Sequence, residues 1–330
     1  MAAVAGTATL FSQVGAREDL EDMIWELFPE DTWLLTNLDK VKATNTLHEW
    51  QTDALAAAAA NRQVEGDDAS FSTLAATSRI GNYQQISRKT FIVSGTLEAS
   101  NLAGRRSEIA RSGTKLMREL KRDMEFALVG NQASSAGSAS LARSSAGLES
   151  WIAGPTIDAT ANANAIRATT TANTTTTPGW SGGTVVSPTD GTTTGALTVQ
   201  ALTFALGGSW ADGADPRVIL AGATQKAAID TFTSIATRFV DIDRNAQAVI
   251  TGAANVIVSD YGRHTVVLHR YMRTSVVIGI DPDYLAVSFY RRPFMETLAK
   301  TGDADKRQIL AEFGLVVRNP NAHCKVVACT

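Results

Sequence analysis

The sequence predicts an α+β fold in which one long helix covers an extended β-sheet. Residues 101–129 place apolar side chains every three or four positions, as one face of a helix does. Residues 308–317 place apolar side chains at every second position, as a half-buried strand does. A strand of this length needs a long partner, and a long helix with one narrow apolar stripe needs a sheet to lie on.

The chain is large enough to fold without disulfides or metal ions, because its 330 residues can bury one large core or two ordinary ones. Hydrophobic residues make up 44% of the chain and charged residues 19%, a low charge content that fits extensive buried surface or subunit contacts. The net charge of -3 argues against free nucleic-acid binding, because that activity needs a basic surface to displace counterions.

The two ends of the chain carry no pattern typical of export or of a metal centre. The N-terminal region is rich in Asp and Glu and lacks a basic segment before an apolar run, so no signal peptide is expected. No segment approaches the roughly twenty apolar residues of a membrane helix, so no membrane partner is expected and the cytosol is the default location. Cys324 and Cys329 point to opposite faces of a predicted strand, which disfavours a disulfide and a zinc site.

The N-terminal third of the chain is predicted to form two arms. Residues 1–45 contain a short amphipathic element with helical spacing at Leu20, Met23 and Leu27, and it has too little apolar surface to be a domain. Residues 46–98 form a polar, extended hairpin around a Gly-Asp-Asp turn. A mobile surface loop is one interpretation of the hairpin, but its length favours an arm that completes its packing on a neighbouring subunit.

The predicted helix 101–129 carries both an apolar stripe and many charges. The stripe consists of Ile109, Gly113, Leu116, Leu120, Met124 and Ala127. Ion pairs at i,i+4 are expected between Lys115 and Glu119 and between Lys121 and Glu125. The charged faces have two interpretations, a solvated surface or a face turned toward another subunit or a nucleic acid, and the sequence leaves both open.

The rest of the chain is predicted as an insertion followed by helices and strands. Residues 155–197 are rich in Thr and nearly free of charge, so they are expected to form a surface excursion that divides the chain. A short helix is expected over residues 198–206, stopped by Gly207 and Gly208, and a second helix over residues 223–239. Strands joined by turns follow to the C-terminus.

Three short motifs occur in the order that class A β-lactamases and penicillin-binding proteins use. They are Ser112-Gly113-Thr114-Lys115, Ser259-Asp260-Tyr261 and Lys300-Thr301-Gly302. Ser112 would lie in the middle of a helix, Tyr261 breaks the second motif, and an acidic turn follows the third motif. A serine acyl-transferase is therefore disfavoured.

No other chemistry is expected from the sequence. Asp303 and Asp305 could hold magnesium, but a lone D-x-D is common in surface turns and no third carboxylate accompanies it. His264 lies close to Ser259 in the sequence, yet a catalytic triad is defined by spatial geometry. The histidines are scattered singly and are predicted to be structural, so no catalytic residue, metal or cofactor is expected.

The chain also contains a set of longer motifs that are specific in combination. They are EDMIWELFPEDTWLLTNL, HEWQTDAL, NRQVEGDD, NLAGRRSEIARSGTKLMRELKRDMEFALVGN, GLESWI, VIVSDYGRH and LAVSFYRRPFMETLAKTGDADKRQILAEFGLVVRNPNA. With these motifs the chain resembles the major capsid proteins of tailed bacteriophages, in the podovirus-type branch with the HK-ninety-seven-like fold. The Thr-rich tract departs from that pattern.

The resemblance implies a division of the subunit into parts. These are an N-terminal arm (1–45), an extended E-loop hairpin (46–98), a peripheral domain with a spine helix and long sheet (99–154 and 281–320), a Thr-rich surface insertion (155–197), an axial domain (198–280) and a C-terminal strand (321–330). The axial domain is expected to meet its neighbours around pentamer and hexamer axes.

The resemblance further implies a protein that self-assembles into the pentamers and hexamers of an icosahedral phage head enclosing double-stranded DNA. Assembly is expected in the host bacterial cytoplasm, with scaffolding, portal and decoration proteins as partners and non-specific contact with the packaged DNA. Two alternatives stay open, a different self-assembling subunit of a tail tube or surface layer, and a serine acyl-transferase.

Charged residues of the hairpin, the helix and the acidic turn are the predicted contacts between subunits. Ion pairs between copies are expected to involve Arg88, Lys89, Arg105, Arg106, Glu108, Arg111, Lys115, Arg118, Glu119, Lys300, Asp303, Asp305, Lys306 and Arg307. The hairpin and helix members are expected to exchange partners when a precursor shell expands, and the members at 300–307 are expected to lie between capsomers.

Overall fold

The structure is a computed structural model that describes most of the chain. The described residues are 32–56, 58–68, 71, 73–74, 76–152, 156–158, 179–188, 194–232 and 256–330. The predicted amphipathic element at Leu20 to Leu27 and most of the Thr-rich tract lie outside these residues. Among the described residues, no helix is both long enough and apolar enough to cross a membrane.

Helices and strands are numbered in chain order. The helices are α1 Trp33–Asn37, α2 Gly95–Ala99, α3 Glu108–Val129, α4 Leu148–Trp151, α5 Val199–Ala211 and α6 Ala223–Asp230. The strands are β1 Asp39–Lys42, β2 Leu47–Thr52, β3 Ser78–Tyr83, β4 Gln85–Ser94, β5 Thr156–Asp158, β6 Gly179–Ser181, β7 Thr184–Val186, β8 Val218–Ala221, β9 Val256–Ser259, β10 Gly262–Leu268, β11 Val277–Ile280, β12 Leu285–Thr297, β13 Ala304–Val317 and β14 Cys324–Val327.

A four-stranded sheet in the order β1-β12-β13-β4 carries the long helix. β13 is antiparallel to both of its neighbours, and β1 pairs in parallel with β12. The predicted inward residues of β13 are all fully buried: Ile309, Ala311, Phe313, Leu315 and Val317. The predicted half-burial is wrong for the second half of the strand, because every residue from Ala311 to Val317 is buried. The apolar stripe of α3 is confirmed at Gly113, Leu120 and Met124, which are all buried.

Gly113 of α3 lies close against the sheet. A Cβ atom at this position would lie 3.3 Å from the sulfur of Met295 on β12 and 3.9 Å from the ring of Phe91 on β4. The face of α3 that contains Gly113 therefore lies against the sheet, and the opposite face of the helix turns away from it.

A six-stranded mixed sheet in the order β5-β14-β11-β8-β10-β9 forms the second half of the molecule. Leu202 and Leu206 of α5 are buried in one hydrophobic cluster with Ile219, Val277 and Val326 of this sheet. A second cluster joins α3, the four-stranded sheet and parts of the six-stranded sheet, so apolar contacts link the two sheets.

Several boundaries differ from the sequence predictions. α3 begins at Glu108 rather than residue 101, because the Ser107 hydroxyl accepts a hydrogen bond from the Ala110 N–H and caps the helix there. α5 continues through Gly207 and Gly208 to Ala211, since burial against the six-stranded sheet outweighs the low helix propensity of glycine. α6 ends at Asp230, and the predicted remainder of that helix from residue 233 lies outside the described residues.

The hairpin of residues 46–98 is shorter in the structure than in the prediction. β2 and β3 pair as an antiparallel hairpin from Leu47–Tyr83 to Thr52–Ser78. β4, which the sequence assigns to the same arm, is an edge strand of the four-stranded sheet instead. Its alternating burial explains this placement, because every second residue from Gln85 to Val93 turns inward.

Candidate assembly surfaces

The loop between β2 and β3, residues 53–77, is the most exposed apolar segment among the described residues. The exposed fractions are 99% for Leu55, 78% for Val64, 96% for Phe71 and 92% for Leu74. Large apolar side chains at this exposure gain nothing from the subunit's own fold. A contiguous segment of this kind is typical of an interaction site.

The base of the hairpin, by contrast, is fixed to the body of the subunit. The buried amide of Asn82 donates to the carbonyl oxygens of Leu315 (2.8 Å) and Ala146 (3.2 Å), and its oxygen accepts from the Ala146 N–H (2.9 Å). The ring of Trp50 packs 5.5 Å from that of Trp151, which is fully buried. The exposed loop therefore projects from a rigid base.

The root of the N-terminal arm docks on the same subunit. Glu125 of α3 is fully buried, and its carboxylate accepts hydrogen bonds from the N–H groups of Leu34 (2.7 Å) and Leu35 (3.0 Å). These groups lie in the first turn of α1, where Thr32 provides no side-chain cap. Glu125 thus caps α1 from another element, and its charge is also favoured by the helix dipole. Residues 32–45, the described part of the predicted N-terminal arm, thus find their partners within the chain, because Glu125 caps α1 and β12 pairs with β1.

His269 completes the environment of Glu125. Its Nδ1 accepts a hydrogen bond from the Tyr271 N–H (3.3 Å), so Nε2 carries the proton and donates to Glu125 at 2.9 Å. His269 follows β10 of the six-stranded sheet. One buried carboxylate therefore ties together the arm root, the long helix and the second sheet.

The acidic side chains of α3 all have partners within the same subunit. Glu119 and Asp123 lie 3.9 Å and 2.6 Å from the ammonium of Lys89 on β4. Glu108 pairs with Arg105 and, at 3.6 Å, with Arg111. The i,i+4 pairs predicted for Lys115 with Glu119 and for Lys121 with Glu125 are wrong, because both carboxylates turn toward other elements.

Four of the five basic side chains of α3 lie on the face opposite Gly113. Arg111, Lys115, Arg118 and Arg122 recur at intervals of four, three and four residues, which places them in one stripe along the helix. Arg111, Lys115 and Arg118 line an open groove with Ala110 and Thr114. Lys115 and Arg122 form no ion pair with any residue that the structure describes.

The turn that joins β12 to β13 contains the other predicted contact residues. Lys300 pairs with Asp305 at 2.9 Å, Lys306 donates to the Thr301 hydroxyl, and the Asp303 carbonyl accepts from the Gly95 N–H at 3.2 Å. Arg307 pairs in register with Phe91 of β4. At the end of the four-stranded sheet where β12 turns into β13, these residues therefore make their contacts within one subunit.

Glu98 of α2 fixes the start of α3 beside this turn. Its carboxylate accepts from the N–H groups of Glu108 (3.0 Å) and Ile109 (3.2 Å). A hydrogen bond from the Ser107 hydroxyl, followed by these backbone donors, lowers the pKa of Glu98. Glu98 is not among the predicted contact residues, although an acidic residue shortly before a helix is a usable signal.

The fourteen predicted contact residues therefore fall into two groups. Ten make contacts inside the subunit, as described above: Lys89, Arg105, Glu108, Arg111, Glu119, Lys300, Asp303, Asp305, Lys306 and Arg307. Arg88 and Arg106 are exposed, and Lys115 and Arg118 lie on the outer face of α3. Glu125 and His269, which organise three elements, are absent from the prediction, and a charge beside the apolar stripe of α3 is the signal that could have indicated Glu125.

The three acyl-transferase motifs lie on different elements. Ser112 is on α3 and its hydroxyl donates to Glu108 at 3.2 Å, while Lys300 pairs with Asp305 at the β12–β13 turn. Ser259 lies on β9 of the other sheet and bonds to Nε2 of His264 at 2.7 Å. The second ring nitrogen of His264 faces the Pro216 carbonyl rather than a carboxylate. The described contacts thus give each motif its own local partner.

The remaining candidate ligands are buried and separate. Burial lowers the pKa of His323 to about 3 and raises the pKa of Cys324 to about 11. Cys324 and Cys329 are both free thiols. Within the described part of the chain, no group of three or more His, Cys, Asp or Glu side chains could hold a metal ion.

Comparisons with known proteins agree on one family. A sequence model of the family described as SU10 major capsid protein matches residues 3–330. The major capsid protein of Escherichia phage Phieco32 is 34% identical over 124 residues, which are 37% of this chain. This match spans 35% of the length of that relative.

Solved structures are similar over almost the whole chain. The capsid of a native GTA particle gives a TM-score of 0.61 at 10% identity, covering 99% of this chain and 100% of the other. The Cyanophage A-1(L) capsid gives 0.60 at 13% identity, with 96% and 97% covered. A structure from Gordonia phage Cozz gives 0.58 at 14% identity, with 99% and 97% covered. At these identities the similarity establishes the fold, which is the α+β HK-ninety-seven-like fold that the sequence predicts.

Proposed function

Because the chain belongs to the family of SU10 major capsid proteins, we propose that its copies assemble into the pentamers and hexamers of an icosahedral phage head that encloses double-stranded DNA. The β2–β3 hairpin is the arm that joins one copy to the next. The exposed loop of residues 53–77 is the observation that carries this proposal, because it offers large apolar side chains that its own subunit leaves in water.

The energetics favour burial of this loop on another copy. Each of the four exposed side chains gains about 1.5–3 kcal/mol when it is fully removed from water. Association of two subunits opposes this gain with a loss of translational and rotational freedom of comparable size. A single loop contact is therefore weak, and it becomes effective when a closed ring of subunits makes all such contacts at once.

The fixed base of the β2–β3 hairpin favours the same contact in every copy of a shell. Asn82 and Trp50 fix the base of the hairpin, so the loop leaves each copy in the same direction. A defined direction lowers the entropic cost of docking. Assembly takes place in the host bacterial cytoplasm with scaffolding, portal and decoration proteins, and the product is the capsid of the virion; these points extend the proposal by analogy with the family.

The polar substitutions Phe71→Ser and Leu74→Ser test the proposal directly. Both side chains are exposed in the subunit, so the double variant is expected to fold normally and to lose shell formation. Negative-stain images and light scattering of the purified protein measure the loss. Leu141→Ser is the matched control, because Leu141 is also an exposed leucine, at 61%, but lies outside the hairpin.

The outcomes separate the alternatives. Normal shells from the double variant would overturn the role of the loop. Tubes or flat sheets from the wild-type protein would instead support a tail-tube or surface-layer subunit. Labelling of Ser112 by a penicillin-like probe, lost in Ser112→Ala, would support an acyl-transferase, whereas the hydrogen bond from Ser112 to Glu108 favours a structural serine.

A further inference from the structure

The strand β4 forms an open edge of the four-stranded sheet. It is the last strand in the order β1-β12-β13-β4, and β13 pairs with one side of it. Just after β4, the Gly95 N–H donates toward β13, to the Asp303 carbonyl (3.2 Å). Just before β4, the Gln84 N–H donates to the Thr46 carbonyl on the other side (2.8 Å). Because backbone groups alternate in direction along an antiparallel strand, the N–H and C=O groups of the even-numbered residues of β4 point to the open side.

Four residues of β4 present their backbone groups at this edge. They are Ile86, Arg88, Thr90 and Ile92, and their side chains are all exposed. Across the ranges that the structure describes, none of their N–H groups has a hydrogen-bond acceptor. A row of free N–H and C=O groups is a template for another strand.

The opposite edge of the sheet, by contrast, carries features that prevent pairing. β1 pairs with β12 as far as Phe289. Beyond this point β12 contains Pro293 and two register shifts, on either side of Arg291. Proline and bulges keep further strands away from a sheet edge. β4 contains neither a proline nor a register shift, so its edge can accept a partner.

We propose that β4 pairs in antiparallel orientation with β4 of a second copy across a two-fold axis, so that the two four-stranded sheets become one continuous sheet. A two-fold contact uses the same surface on both copies, so the strand must be complementary to itself. The inference rests on the proposed function, because it assigns this contact to the junction between one ring of subunits and the next. Pentamer and hexamer rings are closed by contacts between unlike surfaces, which a two-fold contact does not provide.

The free stretch of β4 is symmetric about its midpoint. It begins after Gln84, whose N–H is already bonded, and it ends before Ser94, whose hydroxyl caps α2. The stretch therefore runs from Ile86 to Ile92, and Lys89 is its middle residue. An antiparallel pair centred on Lys89 uses the free N–H and C=O groups of both copies and leaves none over.

The side chains of β4 match in this register. Ile86 of one copy lies opposite Ile92 of the other, so two side chains that are 46% and 64% exposed leave water together. Arg88 lies opposite Thr90, so the two cations do not face each other. Shifting one strand by two residues would set Arg88 opposite Arg88, where like charges repel, or opposite Ile92, which separates the isoleucines.

The long helix leaves room for this contact. Gly113 of α3 lies between Met295 of β12 and Phe91 of β4, so the helix crosses the sheet above β13, the strand between them. Two copies of α3 would then be three strand spacings apart, or about 14 Å. A helix with its side chains is about 10–12 Å wide, so the two helices fit side by side.

The charges near the proposed axis are compatible with the pairing. The two Lys89 side chains would lie opposite each other on the helix side of the sheet. Each Lys89 ammonium lies 2.6 Å from Asp123 and 3.9 Å from Glu119 of its own subunit. Two carboxylates therefore accompany each ammonium, and the lysines do not meet as unpaired cations.

Disulfide cross-linking of assembled protein tests the pairing and its register. A double variant, Ile86→Cys with Ile92→Cys, places two thiols opposite each other at both ends of the pair, at a Cα···Cα distance of about 5.5 Å that suits a disulfide. Mild oxidation is expected to join the chains into covalent dimers, which a non-reducing gel measures. Both native cysteines are buried, so the wild type gives the background.

Each single cysteine variant is a matched control. In a single variant the like thiols lie six residues apart along the paired strands, or roughly 20 Å, too far for a disulfide. The double variant is therefore expected to give at least about ten-fold more dimer than either single variant. Equal amounts of dimer from a single variant would overturn the proposal. No dimer from intact shells of the double variant would also overturn it, and would indicate that residues 1–31 of this chain or another protein cover β4.

A proline substitution provides the second test, because it blocks the edge and spares the ladder within the subunit. The Thr90 N–H points to the open side, so Thr90→Pro removes a donor that β13 does not use. The variant is expected to form rings in negative-stain images but no closed shells, while its denaturant midpoint stays close to that of the wild type. Thr90→Ala keeps the N–H and is expected to form shells. Normal shells from Thr90→Pro would contradict the proposal.

The two proposals fail in different ways. If the wild-type protein forms no shells, the proposed function is wrong. If the loop variant with Phe71→Ser and Leu74→Ser forms no rings while Thr90→Pro forms normal shells, only the inference about β4 is wrong. If Thr90→Pro stops at rings and the loop variant forms none, the loop closes the rings and β4 joins them.

Discussion

The two N-terminal arms of the subunit differ in where they find their partners. The sequence predicts that the first arm has too little apolar surface to fold alone and that the second completes its packing on a neighbouring copy. The root of the first arm docks on its own subunit, while the loop of the second remains exposed. Leu34 is fully buried and Glu125 satisfies the backbone of α1, whereas Leu55 and Phe71 have no comparable contact in their own subunit. Low apolar content therefore shows that a segment needs a partner, but not which one.

Specific polar contacts decide the difference. β1 gains backbone hydrogen bonds from β12, and α1 gains a cap from Glu125. The described residues of the hairpin loop make mainly local hydrogen bonds, such as that from the Asp67 N–H to the Val64 carbonyl at 3.1 Å, and the Thr77 hydroxyl donates to Gln51 of β2 at 3.2 Å. An unsatisfied helix terminus fixes its partner by geometry, while exposed apolar side chains accept any complementary surface.

The largest expected effect comes from Glu125→Ala. This change leaves two N–H groups of α1 and the His269 ring without their buried acceptor, so it is expected to lower the free energy of unfolding by about 3–5 kcal/mol. Denaturant titration of the unassembled protein measures the loss, and faster proteolysis between residues 38 and 46 reports release of the arm root. Glu119→Ala is the control on the same helix. Equal losses for both variants would remove the distinction between the docked and the free arm.

An intermediate effect on stability is expected from lowering the pH, because His323 is buried in the body of the subunit that carries both arms. Burial lowers the pKa of His323 to about 3, whereas the unfolded chain has a value near 6.5. The unfolded state therefore binds the proton first, and stability present above pH 6.5 is lost as the pH falls. From pH 8 to pH 5 this amounts to about 2 kcal/mol.

His323→Gln tests this pH dependence. The free energy of unfolding of the variant, measured by denaturant titration, is expected to fall less between pH 8 and pH 5 than that of the wild type. Cleavage of the exposed hairpin loop by protease is expected to be the same in both proteins. If the free energy of unfolding of the variant depends on pH as strongly as that of the wild type, other groups cause the pH dependence.

The smallest effect is expected from Lys89→Gln. Lys89 pairs with Glu119 and Asp123 at partly exposed positions, so its removal is expected to cost about 0.5–1 kcal/mol in the unassembled subunit. High salt is expected to reduce this cost further, because screening weakens exposed pairs. A loss of stability that appears only in assembled shells would restore Lys89 as a contact between copies.

The long elements could be predicted from the sequence because their periodicity is local. The inward residues of β13 and the stripe of α3 are confirmed residue by residue, from Ile309 to Val317 and at Gly113, Leu120 and Met124. α3 begins several residues later than predicted, at Glu108, because Ser107 caps the helix there. A serine cap is a local signal, but hydrophobic periodicity alone does not reveal it.

The charged contacts could not be predicted in the same way. Helical spacing suggests that Lys115 pairs with Glu119, but Lys89 on the neighbouring strand takes that carboxylate. A charge responds to every partner within a few ångströms, and tertiary packing brings residues together that are far apart in the chain. The direction of each carboxylate on α3 therefore became known only from the structure.

The sequence by itself determined the α+β class, the long helix, the long strand and the arms that need partners, because each follows from hydrophobic periodicity and composition over neighbouring residues. Only the tertiary structure decided that the root of the first arm docks on its own subunit, that β4 belongs to the sheet, and that Glu119 and Asp123 of α3 face Lys89 of β4. These features depend on contacts between residues such as Leu34, Glu125 and His269, which lie far apart in sequence and meet only in the folded chain.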